Sequence, residues 1–178
     1  MDNQNIAQNS NLEEKILKEL QKNCWLNFDE IGKKCGCSRY KVSRVMKKLE
    51  EKNTIVGYSA IINPTKINLK YFILLVKRSS HPFDEEMLKM IPVTAETEFV
   101  PNVNINSTAT LYVHGSFDWV LAFTATDITY AKEFCNKIFK YYSKYIDSLE
   151  LLEIVVPFRM NGLVMASPEA IKKITKIL

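Results

Sequence analysis

Histidine is scarce in this chain, with two copies in 178 residues, His81 and His114. With so few imidazoles, and without an H-E-x-x-H, a G-x-S-x-G or a clustered His/Asp/Glu set, there is little from which to build a zinc or hydrolase centre. Glycine is also sparse, at 5 residues, and none falls in a Gly-rich loop of the kind that cradles phosphates. Long apolar runs are missing as well. Tyr71 to Val76 and Leu149 to Val156 are far shorter than the ~20 residues that span a bilayer. The polar start MDNQNIAQNSN has neither the charged nor the apolar region of a signal peptide. Together these absences argue against an enzyme, a resident metal or cofactor and a membrane protein, and they lead us to expect a cytoplasmic protein.

The composition is that of a chain able to bury a core, 47% hydrophobic and 25% charged. Its charge is unevenly placed. Residues 1–66 hold 12 Lys/Arg against 8 Asp/Glu, whereas residues 67–178 hold 12 of each, so all of the +4 excess lies in the first third. Within it, Lys33 to Lys48 carries seven basic residues and no acidic one.

The residue pattern predicts two domains. A polar tail over 1–10, read as disordered, precedes a helix capped by Asn11 with Glu14 three residues on. Leu12, Ile16, Leu17 and Leu20 form its apolar stripe. A second helix fits Phe28 to Cys35, with Asp29 and Glu30 in its first turn and Gly36 at its end. A third starts at the N-cap Ser38 and runs to about Lys52, burying Val42, Val45, Met46 and Leu49. TIVGYSAIINP then reads as an extended strand or hairpin, which closes a first domain over 11–64. Residues 65–178 form the second. Leu69 to Arg78 is a strand, Phe83 to Ile91 a short helix, and 92–107 an irregular stretch. TLYVH and WVLAFTA form a hairpin around GSFD. A helix capped by Asp127 continues to about Ile146, with Ile128, Ala131, Phe134, Cys135, Ile138, Tyr142 and Tyr145 on its core face. Leu149 to Pro157 is the last strand. The order is β-α-β-β-α-β, a ferredoxin-like arrangement, followed by a helix over 167–178 opened by Ser167-Pro168-Glu169.

Counted from Phe28, the helix-turn-helix pattern asks for a small residue at position five, glycine at nine and branched apolar residues at fifteen and eighteen. The chain supplies Gly32, Gly36, Val42 and Val45. The valines hold the third helix inward, so that Ser38, Arg39, Tyr40, Lys41, Ser43, Arg44 and Lys47 face out, where they can meet base edges in the major groove. Lys33, Lys34 and Lys48 flank that face and suit phosphates. A solvated basic helix is the plainer explanation of a charge run, but four matched positions favour DNA.

The cysteines carry less. Cys35 and Cys37 could supply two thiolates to a metal or act as a redox pair gating DNA binding, yet zinc needs four ligands, and only Cys24 lies near in sequence. They are read as small apolar residues flanking the turn glycine, and Cys135 as part of a helix core face. His114 and Asp118 could form an acid–base pair, although a strand-end histidine beside a turn aspartate explains them as well. Tyr130, Tyr141, Tyr142 and Tyr145 suit a core or subunit interface. A small-molecule module with no specific DNA binding is a further alternative.

With these residues in place, the chain resembles the Lrp/AsnC (feast/famine) transcriptional regulators over about 11–162. The resemblance is carried by the helix-turn-helix, by IVGYSAIINP and by GSFDWVLAF, which is similar to the family's G-x-x-D turn. It implies an α+β fold in which a winged helix-turn-helix joins a ferredoxin-like βαββαβ (RAM/ACT-like) domain, here with an extra C-terminal helix. It also implies a homodimer formed through the C-terminal sheets, assembled further into tetramers or octamers, on double-stranded DNA with a palindromic site. Finally, it implies an amino-acid or other small effector bound near Gly115 and Asp118. Residues 92–107 are longer than the family's usual connection, and the helix from Ser167 extends past its usual end.

Overall fold

The computed structural model describes the backbone of residues 2–90 and 105–174, which fall into two compact units, Met1–Ile61 and Ile62–Leu178.

In the first unit three helices surround one core. α1 (Asp2–Lys22) contributes Leu12, Ile16 and Leu20, which recur every fourth residue on one face. α2 (Phe28–Cys35) contributes Ile31, and α3 (Arg39–Glu51) contributes Val42 and Met46. Ile16, Ile31 and Val42 have no accessible surface, and each such side chain stabilises the fold by roughly 1.5–3 kcal/mol.

The helix start predicted at Asn11 is corrected. The backbone is already helical from Asp2, through the stretch read as a disordered tail, and Asn11 lies inside the helix. Once the apolar stripe has nucleated α1, each further residue adds a hydrogen bond at little cost, so polar residues suffice for extension. Glu14 pairs with Lys18 at 2.6 Å rather than with a cap. A capping box does occur, but one helix later. The Glu30 N–H donates to Asn27 Oδ1 at 3.0 Å, and the Asn27 N–H donates to Glu30 Oε2 at 2.9 Å. Both Asn11-x-x-Glu14 and Asn27-x-x-Glu30 match the pattern, and the structure uses the second.

Just past the Lys52 C-cap of α3, Asn53 adopts a left-handed φ of 53°. The N–H groups of Thr54 and Ile55 turn back to the Leu49 carbonyl at 2.8 and 3.1 Å. The strand or hairpin predicted for TIVGYSAIINP does not form, because residues 56–63 have no ladder partner among the described residues. Val56 is left 90% exposed.

The second unit is an antiparallel sheet ordered β2-β3-β1-β4, built from β1 (Lys70–Arg78), β2 (Asn106–Tyr112), β3 (Trp119–Ala125) and β4 (Ile146–Ile154). α4 (Glu85–Met90) follows β1 and α5 (Ile128–Tyr141) follows β3, which completes the βαββαβ order. Phe72, Leu74 and Val76 of β1 pack with Trp119, Leu121 and Phe123 of β3 beneath Met87 of α4 and Phe134 and Ile138 of α5. On the opposite face the register sets Leu111, Val120, Leu75 and Glu150 in one row and Ala109, Ala122, Ile73 and Leu152 in the next.

α5 stops at Tyr141, short of the predicted Ile146, which instead opens β4. Ser79, just past β1, explains the stop. Its N–H takes the Tyr145 carbonyl at 2.9 Å and its hydroxyl takes the Lys144 carbonyl at 2.8 Å, so this backbone is committed to the sheet. Phe83 lies outside α4, stacked on Trp119 at 5.5 Å, and Asp84 caps that helix through the Met87 N–H. β2 covers 106–112 rather than 110–114, which leaves His114 in the turn. The predicted irregular stretch falls for the most part on residues outside those described.

After β4 a two-stranded ribbon appears, β5 (Arg159–Met160) and β6 (Leu163–Val164). Its turn has positive φ at both Asn161 (47°) and Gly162 (83°), the type I′ geometry that Asn-Gly favours. α6 (Pro168–Ile174) begins where Ser-Pro-Glu predicts, and the last four residues of that predicted helix lie outside those described.

Candidate nucleic-acid interface

The turn between α2 and α3 sets the geometry of the basic face. Gly36 caps α2 at φ 69° and ψ 39°, a left-handed conformation that costs a glycine nothing. Its N–H and that of Cys37 both donate to the Gly32 carbonyl. At Gly32 the chains meet so closely that an added Cβ would lie 2.6 Å from the Cys37 carbonyl oxygen. Only glycine allows that approach. Ser38 then caps α3, its hydroxyl accepting from the Lys41 N–H at 3.3 Å.

α3 leaves this turn with Val42, Met46 and Leu49 buried and Val45 half-buried, while Arg39, Tyr40, Lys41, Ser43, Arg44, Lys47 and Lys48 are all exposed. Tyr40 is 79% exposed at the start of the helix, with the Arg39 guanidinium 5.8 Å from its ring centre. Arg39, Tyr40, Ser43, Arg44 and Lys47 follow one another at helical spacing along a single face.

The cations differ in their surroundings. Lys48 pairs with Glu13 at 2.6 Å and Lys34 with Glu19 at 2.9 Å, both acids belonging to α1. Arg39 lies 3.5 Å from Asp29, and Lys47 lies 3.8 Å from Glu51. Lys33, Lys41 and Arg44 have no ion-pair partner among the described residues. The Lys22 and Lys34 ammonium groups hold the Glu19 carboxyl below the usual carboxylate range. The Lys47–Glu51 pair follows from i,i+4 spacing within α3, whereas the ties of Lys34 and Lys48 to Glu19 and Glu13 were not readable from the helix pattern alone, because α1 meets α2 and α3 only in the folded unit.

Cys35 and Cys37 are half-buried against the helical core, and Cys24 is exposed. Burial, and then the neighbouring Cys37, push the Cys35 thiol above its ordinary value, which disfavours the reactive thiolate. Among the described residues no three His, Cys, Asp or Glu side chains gather as a metal site would require. No described helix is long and apolar enough to cross a membrane.

In the second unit, Gly115 lies exposed in the turn before β3 and Asp118 is half-buried at its end. Asp118 holds the turn together. Its Oδ2 accepts the Arg78 N–H at 2.9 Å, its N–H donates to the Val76 carbonyl at 2.9 Å, and its carbonyl accepts the Val113 N–H at 2.8 Å. These bonds fit the turn-aspartate explanation, and no hydrogen bond joins Asp118 to His114 among the described residues. Tyr142 and Tyr145 are buried, whereas Tyr130 and Tyr141 are exposed.

Residues 9–56 match the family model for winged helix-turn-helix DNA-binding domains. The chain is 34% identical over 92 residues to the transcriptional regulator LrpA of Pyrococcus horikoshii, a match spanning 52% of this chain and 63% of that protein. It is 28% identical over 133 residues to an uncharacterised HTH-type transcriptional regulator of Pyrococcus furiosus, covering 75% and 81% respectively. The fold is shared with an AsnC family regulator from Agrobacterium tumefaciens (TM-score 0.63, 23% identity, 88% of this chain and 95% of that one). It is shared as well with a transcriptional regulator from Neisseria meningitidis solved in complex with L-Met (TM-score 0.65, 19% identity, 85% and 94%).

Proposed function

The chain belongs to the Lrp/AsnC family of DNA-binding transcriptional regulators, and we propose that it reads DNA through α3. In this reading Arg39, Tyr40, Lys41, Ser43, Arg44 and Lys47 face the major groove, Ser38 fixes the start of the helix, and Lys33, Lys34 and Lys48 meet phosphates. The observation that carries it is the division of α3 itself, with its apolar side fixed in the core and its cationic side exposed. A mobility-shift assay with Arg39→Ala and Arg44→Ala tests it. Each loss should weaken binding, by about 1–3 kcal/mol and with relaxed specificity where the side chain reads a base. Unchanged binding by the double variant removes the recognition-helix assignment. The four relatives described above are named as regulators of transcription.

The same reading has the chain acting in the cytoplasm as a dimer, assembled further into tetramers or octamers, on a palindromic site. The uncovered sheet face supports dimerisation, since Leu75, Val120, Ile73, Ala122 and Leu152 form an apolar surface that a second copy would bury. A small effector, such as an amino acid, would bind beside Gly115 and Asp118 and shift the oligomer or the spacing of the reading helices. Support for that part comes from the Neisseria relative of like fold, solved with L-Met. A metal or thiol sensor built on Cys35 and Cys37 is less well supported, since both are half-buried and the Cys35 thiol is pushed up. Normal DNA binding and no metal response in a Cys35→Ser/Cys37→Ser variant would end it.

A further inference from the structure

Arg78, the last residue of β1, is half-buried, and its guanidinium has no ion-pair partner among the described residues. Its main-chain N–H is bound by Asp118 Oδ2, which places it directly beside the Gly115–Asp118 turn. Its guanidinium carbon lies 3.7 Å from the centre of the Phe83 ring, and Phe83 is backed by Trp119. Nη1 donates to the Tyr112 hydroxyl at 3.0 Å and Nη2 to the His81 carbonyl at 3.1 Å. Those bonds use two of the five guanidinium protons. Nε is buried with no hydrogen-bond partner.

Arginine cannot shed its proton at this site, so the charge persists whatever its surroundings. A half-buried cation without an anion is costly, and an apolar side chain on Phe83 would serve stability better. What the arrangement does achieve is orientation. A planar donor is held flat on an aromatic ring and fixed at two corners before any ligand arrives, and this preorganised form recognises carboxylates well. Beside it, the Tyr112 hydroxyl accepts from Arg78 and keeps its own proton to donate. One cation and one neutral hydroxyl match a single negative charge better than the two of a phosphate.

We propose that Arg78, seconded by Tyr112, is the anion-recognising residue of a small-molecule site at this end of the sheet, and that its ligand is a small metabolite bearing a carboxylate. The inference rests on the reading that an effector binds beside Gly115 and Asp118, and it adds which chemical group of that effector is read and by which side chain.

Titration calorimetry on the full-length protein tests it. The probes are L-leucine and L-glutamine, each beside its amino alcohol, in which CH2OH replaces the carboxylate, together with inorganic phosphate. At least one amino acid should bind, with its alcohol and phosphate weaker by about tenfold or more. Arg78→Gln should lose about tenfold, Arg78→Lys should recover part of it, and Tyr112→Phe should lose less. Thermal unfolding without ligand checks that each variant is folded, and Arg78→Lys and Tyr112→Phe decide the matter if Arg78→Gln is not. DNA mobility shifts without ligand should not change in any of them. If an alcohol binds as tightly as its amino acid, if phosphate binds best, or if folded Arg78 variants bind like wild type, the role of Arg78 is overturned while an effector site stands. If no probe binds the wild-type protein, the inference and the effector reading fall together, and the DNA-reading proposal keeps its own test.

Discussion

α3 in the first unit and β1 in the second treat apolar surface in opposite ways. In α3 the aliphatic residues turn inward, and the outward face is left to cations, Ser43 and the exposed Tyr40. In β1 both faces are apolar, with Phe72, Leu74 and Val76 under the helices and Ile73 and Leu75 on the other side. The sequence states the contrast as a helical period in RYKVSRVMKK and an unbroken run in YFILLV. An unbroken run belongs to a strand buried on both faces, yet among the described residues the helices of this unit pack on one face only. From this we expect the first unit to meet a charged partner and the second to meet another protein surface.

The contrast can be broken from either side. Ile73→Asp places a carboxylate in the middle of the uncovered face. Across a two-fold axis the charges would be buried together at a cost of several kcal/mol. Sedimentation should show monomers, and the helical signal of the first unit should survive. A variant that remains dimeric would mean that this face is not the interface. Gly32→Ala attacks the other unit, since its methyl meets the Cys37 carbonyl. We expect a loss of about 1–3 kcal/mol, seen as earlier unfolding of the helical unit and weaker DNA binding, with assembly unchanged.

Asn27→Ala removes one half of the capping box and should cost about 1 kcal/mol, again confined to the first unit by hydrogen exchange. The smallest effect is pH-dependent and lies in the second unit. The Tyr145 hydroxyl, followed by the Met87 N–H, holds the Asp84 carboxyl below its ordinary value. The unfolded chain therefore takes up that proton first as pH falls. The stabilisation is complete above the ordinary aspartate value near ~4 and is lost as pH falls through the depressed one. Tyr145→Phe should thus lower the unfolding temperature at neutral pH, with the gap from wild type narrowing in acid.

The parts of the molecule that were legible in sequence are those set by local chemistry. Gly32, Gly36, Ser38 and the two valines fix the helix-turn-helix through backbone conformation and a period of 3.6, and strand alternation and run length fix β1 and β3. Features set by distant partners were not legible. The end of α5 is decided by Ser79, some sixty residues earlier in the chain. Residues 56–63 have strand-forming side chains but no strand to pair with among the described residues. The bonds of Arg78 to Tyr112 and Asp118 cross the sheet. The Asn161-Gly162 turn was readable in principle, since Asn-Gly is a strong hairpin signal, but the ribbon around it is only two residues a side.

The carboxylates that hold Lys34, Lys48, Arg39 and Lys47 bear on how this protein tells one DNA from another. A phosphate that displaces a glutamate or aspartate from a lysine releases a counterion from the duplex, but it also exposes a carboxylate that attracts one back. In the proposed DNA-reading mode, the ion release that drives indiscriminate binding, about −0.9 in log–log slope for each phosphate neutralised, would come in full only from Lys33, Lys41 and Arg44. The salt dependence of binding should fall short of what seven cations would give. If α3 reads DNA as proposed, satisfying part of the site's own charge would lower affinity for any duplex and leave a larger share of the hold to contacts that depend on sequence.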